Sequence, residues 1–316
     1  MALPSSGAIS FSNINTELGV SSTTQRSLND SAVRTLFGIP SGAIDMNTGH
    51  GKSNYTPTKR IATSNQTITV PSGATSATIK LFGAGGYNSH YNGGYGAYVI
   101  GNFAVQPGDT LYFGLAGDNY AYAANVVWKR SGTMMGWAIA GAGGNCGNDG
   151  DDGGDGWSAR FGGAGGNASG IGNNAGGGNN SDVGWAQGGA GAAGTSYAGS
   201  GGGGCNNGSD GGGPWSYTVP SYNSGGSGGG GCAGSNANGG SGGDGGGGYY
   251  GGGGGGGGYG RDDYPNSADG GGGGGGGSSN AYNMTSVSSG VCNSISDPDR
   301  GSAGNPGNGG LIVVYV

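Results

Sequence analysis

The sequence GGGGGGGG occupies positions 251–258 and recurs at positions 270–277. These runs belong to a longer region, from about residue 141 to residue 310, that holds most of the chain's 88 glycines. Shorter glycine tracts in this region are separated by segments that carry Trp, Tyr, Asn and Asp, such as Tyr259-Gly-Arg-Asp-Asp-Tyr264. We interpret the tracts as extended rods and the segments between them as loops.

Glycine-rich composition is also typical of disorder. The chain has 88 glycines and 10 prolines among 316 residues, without a strict Gly-X-Y period, and such composition usually indicates low-complexity sequence. Aromatic residues interrupt the tracts, however, and disordered chains generally lack them. The ordered alternative is the polyglycine II helix, with three residues per turn and about 3.1 Å rise, in which an eight-residue run spans roughly 25 Å.

A single glycine rod cannot hold its shape, because ordering each residue costs about 1–2 kcal/mol of backbone entropy and glycine has no side chain to bury. Several rods packed side by side can exchange backbone hydrogen bonds in every lateral direction, since no Cβ keeps them apart. For residues 141–310 we therefore predict a bundle of packed polyglycine II helices with exposed loops.

Residues 55–140 show the two-residue alternation of β-strands, interrupted by turn sequences such as Pro107-Gly108-Asp109. The chain ends in a β-branched run suited to a buried strand. We predict a mainly β fold: a small β-sandwich, completed by residues 311–316, that carries the polyglycine bundle as an insertion. The predicted strands cover residues 66–71, 77–82, 95–105, 110–115, 125–130, 134–140 and 311–316.

Residues 1–54 are predicted to form a short, partly helical module. Apolar residues recur along this stretch, and residues 28–38 read as a helix that Asn29 or Asp30 begins and Gly38 ends. Because about fifty residues bury little surface, we expect the module to dock on a partner or on its own copies.

Charge and hydropathy exclude several classes of protein. Residues 136–316 carry 3 basic and 12 acidic groups within a chain of net charge −6, which argues against a nucleic-acid partner. No apolar run of 18 residues and no signal-peptide pattern is present. We therefore expect a protein made in a cytoplasm that does not enter a membrane by itself.

Catalytic patterns occur, but abundant glycine generates them by chance. Gly225–Gly229 and Gly239–Gly243 fit the nucleophile-elbow pattern by letter, yet neither follows a predicted strand and no histidine lies downstream. We predict that the protein is not an enzyme and needs no cofactor.

Metal and disulfide sites remain open from the sequence. Asp149, Asp151, Asp152 and Asp155 could hold Ca²⁺ through clustered oxygen ligands, but the calcium-hand order is missing, and the sequence favours a solvated acidic turn. The four cysteines have no metal-binding spacing. They form either disulfides or free thiols: Cys146, Cys205, Cys232 and Cys292.

The segments between glycine tracts supply the candidate binding residues. Large aromatic side chains have little interior to fill in a core made of backbone, so several should be exposed beside Asp, Asn and Arg. Such groups suit sugar rings, whose faces stack on aromatics while the hydroxyls bond polar groups. The alternative is that these aromatics seal the ends of the rods. The candidates are Trp185, Trp215, Tyr217, Tyr222, Arg261, Asp262 and Tyr264.

Several motifs resemble those of bacteriophage virion proteins. Residues 70–86, 105–111 and 307–315 look like the glycine-rich domain of phage tail-fibre proteins, and the opening, Ala2-Leu-Pro-Ser-Ser-Gly-Ala-Ile-Ser10 through Gly51-Lys52-Ser53, is similar to a module at the start of phage structural proteins. The resemblance implies a virion surface protein, similar to fibre-tip adhesins in which polyglycine rods present variable loops to a bacterial receptor, either a glycan or an outer-membrane protein.

The resemblance also implies partners and a location. Residues 1–54 would attach the chain to other virion proteins, the chain would form a homo-oligomer with a trimer favoured, and the protein would be displayed on the virion. Two alternatives from other classes remain: a purely structural decoration or connector protein, and, more remotely, an ice-binding protein. The ice-binding alternative expects Thr or Ala at every third position of a flat face, whereas Asn, Tyr and Asp interrupt the tracts irregularly.

Overall fold

The computed structural model describes residues 2–87, 93–115, 122–147, 201, 206–210, 241–255 and 273–316, together with the backbone of residues 169–171. Within these residues the protein is mainly β, with two largely antiparallel sheets and two short α-helices. The prediction of a mainly β fold is therefore confirmed.

Sheet A contains five strands and sheet B contains six. In spatial order sheet A consists of β1 (Lys59–Ala62), β11 (Leu311–Tyr315), β3 (Ala77–Phe82), β4 (Ala97–Phe103) and β10 (Thr285–Val291). In the same manner sheet B consists of β2 (Gln66–Thr69), β5 (Thr110–Gly114), β6 (Ala124–Arg130), β7 (Thr133–Ala140), β9 (Ser278–Tyr282) and β8 (Ser169–Ile171).

One hydrophobic core receives side chains from both sheets. Ile79 and Val99 contribute from sheet A, and Leu111, Phe113 and Val126 contribute from sheet B; all five are fully buried. In β3 and β5, residues two apart along the strand enter the core because successive side chains of a strand point to opposite faces. The alternation read from the sequence is thus the pattern that builds this core.

The seven strands predicted from the sequence are all present, with ends that differ by at most two residues. Strands β9 and β10, in contrast, lie within the residues that the sequence analysis included in the glycine-rich region, and it did not predict them. Their sequences are rich in Ser, Thr and Asn. Hydrogen bonding of β9 to β7 and of β10 to β4 orders these strands, although their composition does not indicate strand structure.

The N-terminal residues form a module with a core of its own, built from residues such as Leu3, Ile14, Val33 and Phe37. Helix α2 (Ser31–Phe37) falls inside the predicted helix, follows Asp30 and ends at a left-handed glycine, Gly38. Helix α1 (Phe11–Glu17) was not predicted from the sequence; it begins with a reciprocal capping pair between Ser10 and Asn13.

A buried carboxylate joins the module to the segment that enters the sheets. Glu17 is 7% exposed, and its Oε1 accepts hydrogen bonds from Ser53 Oγ and from the Asn54 backbone N–H, both at 2.8 Å. Ser53 Oγ also lies 3.3 Å from the Gly73 carbonyl oxygen, in the turn between β2 and β3. The end of α1 is therefore fixed relative to the sheets.

Candidate functional site

Glycine segments continue from the ends of several strands and pack against one another. We name residues 83–87, 93–96, 141–147, 241–248, 251–255 and 273–277 the glycine lattice. Residues 83–87 follow β3, residues 141–147 follow β7, and residues 273–277 lead into β9. The lattice therefore continues directly from one end of the strands of the two sheets.

Hydrogen bonds in the lattice recur at every third residue. The N–H groups of Ala142 and Asn145 donate to the carbonyls of Gly247 and Asp244, both at 2.8 Å. In turn, the N–H groups of Gly277 and Gly274 donate to the backbone carbonyls of Ala142 and Asn145, both at 2.9 Å. An antiparallel β-ladder returns to the same neighbour at alternate residues, so these segments do not pair as ordinary strands.

Residues 141–145 bond to four different segments. Besides the contacts with residues 241–248 and 273–277, Gly143 N–H donates to the Ala84 carbonyl at 3.0 Å, and the Gly144 carbonyl accepts from Gly94 N–H at 2.9 Å. A strand in a sheet has at most two hydrogen-bonded neighbours, one on each side. The backbone N–H and carbonyl groups of the lattice therefore form hydrogen bonds in more than one plane, mostly with other backbone groups.

The lattice leaves no room for a β-carbon at these contacts. A Cβ added to Gly144 would lie 2.2 Å from the Gly274 carbonyl oxygen, and one added to Gly252 would lie 2.1 Å from that of Gly275. Real Cβ atoms do not approach backbone oxygen so closely. Close approach of chains, rather than loop flexibility, explains the glycines at these positions.

The register of the lattice gives each segment a direction. Gly86 pairs with Gly94, Asn145 with Asp244, and Gly255 with Gly243, all in antiparallel pairs. Residues 83–87, 141–147 and 251–255 therefore run away from the sheets, and the remaining segments run back. Within the described ranges, the residues of these segments that lie farthest from the sheets define what we name the distal end: Tyr87, Gly93, Gly147, Ser241, Gly255 and Gly273.

The sequence-predicted binding and calcium residues lie outside the described residues. Trp185, Trp215, Tyr217 and Tyr222, together with Asp149, Asp151, Asp152 and Asp155, belong to residues 148–240, which the chain enters from Gly147 and leaves at Ser241. Arg261, Asp262 and Tyr264 belong to residues 256–272, which Gly255 and Gly273 bound. In sequence, both sets are bounded by distal-end residues.

Among the described residues, the distal end carries one exposed aromatic side chain. Tyr87 is 45% exposed, and its backbone is held by two bonds: its N–H donates to Asn145 Oδ1 at 2.7 Å, and its carbonyl accepts from Cys146 N–H at 3.3 Å. Asp244 is exposed nearby in the lattice. Tyr87 is not among the residues predicted from the sequence, although it is an aromatic residue at the end of a glycine tract.

Two carboxylates outside the distal end are held ionised by neighbouring groups. Asp109 is 3% exposed, and it accepts hydrogen bonds from Trp128 Nε1 at 2.8 Å and from Arg130 Nε at 2.9 Å. Burial raises the pKa of Asp109, but the hydrogen bonds from Arg130, Gln106 N–H and Trp128 outweigh it, so the pKa is lowered. This arrangement fixes a turn and disfavours proton donation.

Asp299 forms a similar cluster on sheet A. Its carboxylate accepts hydrogen bonds from Lys59, Lys80 and the Tyr315 hydroxyl. These bonds hold the pKa of Asp299 well below its usual value. Lys80 also pairs with Asp297 at 2.8 Å. The cluster connects residues 297–299 to strands β1, β3 and β11. We name Asp299, with Lys59, Lys80 and Tyr315, the Asp299 clasp.

Neither a metal centre nor a disulfide is found in the described part of the chain. It contains no group of three or more His, Cys, Asp or Glu residues placed to hold a metal ion. Cys146 and Cys292 are buried and not disulfide-bonded, and burial raises the pKa of the Cys292 thiol to about 12. Cys205 and Cys232 lie outside the described residues. No described helix has the length and apolar character needed to span a bilayer.

Comparison with known proteins adds no assignment. No protein-family model matches the sequence, and no curated protein matches it significantly. The functional interpretation therefore rests on the residues and on the geometry of the lattice.

Proposed function

We propose that this chain is a non-enzymatic phage virion protein, a tail-fibre component or adhesin, which binds a receptor on the bacterial surface through the segments between its glycine tracts. The observation that carries the proposal is the register of the glycine lattice. In the described residues, the lattice segments that end at Tyr87, Gly147 and Gly255 run towards the distal end, and those that begin at Gly93, Ser241 and Gly273 run back from it. The predicted binding residues lie in the sequence between these segments, and binding residues are typically carried on segments that a scaffold positions.

We further propose that the glycine tracts adopt polyglycine II helices. The return of hydrogen bonds to the same neighbour at every third residue supports this conformation, because the helix has three residues per turn. Contacts to four neighbouring segments also agree with a helix that directs its backbone groups sideways in several directions. A rigid support of this kind reduces the conformational entropy that the loops lose when they engage a receptor.

In this proposal the two ends of the chain have different partners. Residues 1–54 attach to other virion proteins, and the distal loops face the host. Several copies on one virion, as a trimer or a higher assembly, would multiply weak contacts, because avidity exceeds single-site affinity by roughly 10²–10⁴. The receptor is a surface glycan or an outer-membrane protein, and aromatic residues beside Asp and Arg fit the glycan chemistry better.

Adsorption of the purified chain to whole cells of candidate bacterial hosts tests this function. The test variant combines Trp215→Ala, Tyr217→Ala and Tyr264→Ala, and the control carries Ile61→Ala, since Ile61 is 54% exposed on β1 and remote from the distal end. We expect saturable binding by the intact chain and by the control, and loss of at least about ten-fold in affinity for the triple variant.

Circular dichroism and thermal melting must show that the triple variant is folded. Binding that survives in the folded triple variant would remove these loops from the receptor site. If the intact chain binds no susceptible host, the chain would instead be a structural decoration or connector protein of the virion.

A further inference from the structure

A cluster of aromatic rings lies on the face of sheet B that points away from the shared core. Trp137, on β7, is 6% exposed and belongs to a separate group of buried residues on that face. Its ring stacks on Tyr249, with centroids 5.4 Å apart and planes at 2°, and on Tyr282, with centroids 6.4 Å apart and planes at 24°. Tyr250 meets Tyr249 edge-on at 5.0 Å. We name these four residues the ring cluster.

Backbone and side-chain hydrogen bonds hold the ring cluster in place. Tyr249 and Tyr250 form the turn between two lattice segments, and their N–H groups donate to Ser278, to its carbonyl and its Oγ respectively, both at 2.9 Å. Tyr282 pairs with Trp137 across β9 and β7. Directly after Tyr282, Asn283 Nδ2 donates to the Met135 carbonyl at 2.7 Å. The position of the Tyr282 ring is therefore defined before any ligand arrives.

Tyr282 is nevertheless 57% exposed, the highest exposure among the large hydrophobic side chains of the described part. Trp137 supports its ring, but more than half of the side chain remains accessible. An aromatic residue that only sealed the lattice would be covered as Trp137 is. A supported and accessible ring instead matches the usual form of a stacking surface in a binding site.

The residues next to Tyr282 along the chain carry polar groups without charge. Asn280 lies on the same face of β9, two residues before Tyr282, and Asn283 follows it. No Asp, Glu, Lys or Arg occurs in residues 278–291. Nucleic acid and acidic ligands need basic partners, whereas a neutral sugar ring needs an apolar stacking face and amide groups for its hydroxyls. The chemistry of β9 and the turn that follows it therefore fits a neutral saccharide.

We propose that Tyr282, supported by Trp137 and Tyr249, is a stacking site for one ring of a neutral polysaccharide. Strand β9 leads away from the glycine lattice, so the site lies on the sheet side of the molecule and is separate from the distal end. The ring cluster limits the rotamer freedom that Tyr282 loses on binding, which lowers the entropic cost of stacking.

Affinity electrophoresis in native gels that contain dextran, mannan, galactan or β-glucan tests the proposal. We compare the intact chain with Tyr282→Ala and Tyr282→Val, the latter a second variant that favours strand structure. We expect one or more of the polysaccharides to retard the intact chain, and both variants to bind about five- to ten-fold more weakly. Tyr282→Phe keeps the ring and should be retarded like the intact chain.

Ile61→Ala is the control, because it removes an apolar side chain that is 54% exposed on β1 of sheet A, outside both proposed sites, and it should leave retardation unchanged. The proposal is overturned if no polysaccharide retards the intact chain, or if the folded Tyr282→Ala and Tyr282→Val variants are retarded as strongly as the intact chain. Loss in Tyr282→Phe would assign binding to the hydroxyl and overturn the stacking role. An equal loss in Ile61→Ala would overturn the assignment of binding to Tyr282. Adsorption to host cells through the distal loops is measured independently, so either proposal can fail alone.

Discussion

Phe113 and Leu111 fill the space between two sheets in one part of this molecule, whereas in the glycine lattice Gly144 and Gly252 keep their space open for a neighbouring backbone. In the sheets, side chains supply the contacts between layers and each strand bonds at most two neighbours. In the lattice, backbone groups supply the contacts, and residues 141–145 bond four neighbours. The sheets should therefore be most sensitive to removal of side-chain atoms, and the lattice to their addition.

Removal of a core side chain should have the largest effect on stability. Phe113 is fully buried between the sheets, and Phe113→Ala should lower the free energy of unfolding by about 3–5 kcal/mol, because it removes apolar contacts and leaves a cavity. Urea unfolding followed by circular dichroism measures the change. Val20→Ala, at a side chain that is 37% exposed, is the control and should change stability by less than about 1 kcal/mol. An equal loss in both variants would contradict the assignment of the core.

Addition of a single methyl group to the lattice should have the next largest effect. Gly144→Ala places a Cβ 2.2 Å from the Gly274 carbonyl oxygen, so the two segments must separate, at a cost of about 1–3 kcal/mol or more. Hydrogen exchange measured by mass spectrometry should show faster exchange in peptides that cover residues 141–147 and 273–277.

Gly290→Ala, on β10, is the matched control for this change. An added Cβ at Gly290 meets the Tyr98 side chain at 3.0 Å, a contact that a shift of a few tenths of an ångström relieves, whereas the 2.2 Å contact at Gly274 is with a backbone oxygen. If Gly144→Ala were no more destabilising than Gly290→Ala, close backbone packing would not explain the glycines of the lattice.

Loss of the Asp299 clasp should have the smallest effect, and it should depend on pH. The pKa of Asp299 is lowered in the folded protein by hydrogen bonds from Lys59, Lys80 and Tyr315. Its contribution to stability is therefore present above the unfolded pKa of about 4 and is lost as the pH falls towards the folded pKa. Asp299→Asn should be less stable than the intact chain at pH 7 and should lose less stability below about pH 4.

Urea unfolding at a series of pH values measures this difference. Asp30→Asn serves as the control, since the Asp30 side chain is 38% exposed and lies 3.7 Å from Arg26, and a pair this long with an exposed carboxylate contributes little. A parallel pH dependence in the intact chain and in Asp299→Asn would show that the clasp does not contribute.

Much of the sheet architecture was predictable, because the local signal was strong. The alternation in residues 77–82 and 110–115 led to β3 and β5, and Gly38 marked the end of α2. Strands β9 and β10 were not predictable, since Ser, Thr and Asn have no apolar alternation there and their order comes from pairing with β7 and β4. Helix α1 was missed because its seven residues show little apolar period and its capping pair uses Asn13 rather than Glu or Gln.

Some residues of the candidate sites could likewise be predicted from the sequence, and others could not. Aromatic residues between glycine tracts, such as Trp215 and Tyr264, could be selected from the sequence because glycine isolates them. Tyr282 could not be selected, because its role depends on Trp137 and Tyr249, which lie 145 and 33 positions earlier in the chain. No local pattern reports a ring contact between such distant residues.

By itself, the sequence determined which parts of the chain alternate as strands and which parts lack the side chains needed for a hydrophobic core. These properties are local, since they follow from the side chains of consecutive residues. Only the tertiary structure decided that the described glycine segments share hydrogen bonds at every third residue, that neighbouring segments run in opposite directions between the sheets and the distal end, and that Tyr282 rests on Trp137. Those features depend on the register between segments far apart in the chain. Because glycine has no side chain, the sequence of the glycine tracts carries no side-chain pattern that would indicate this register.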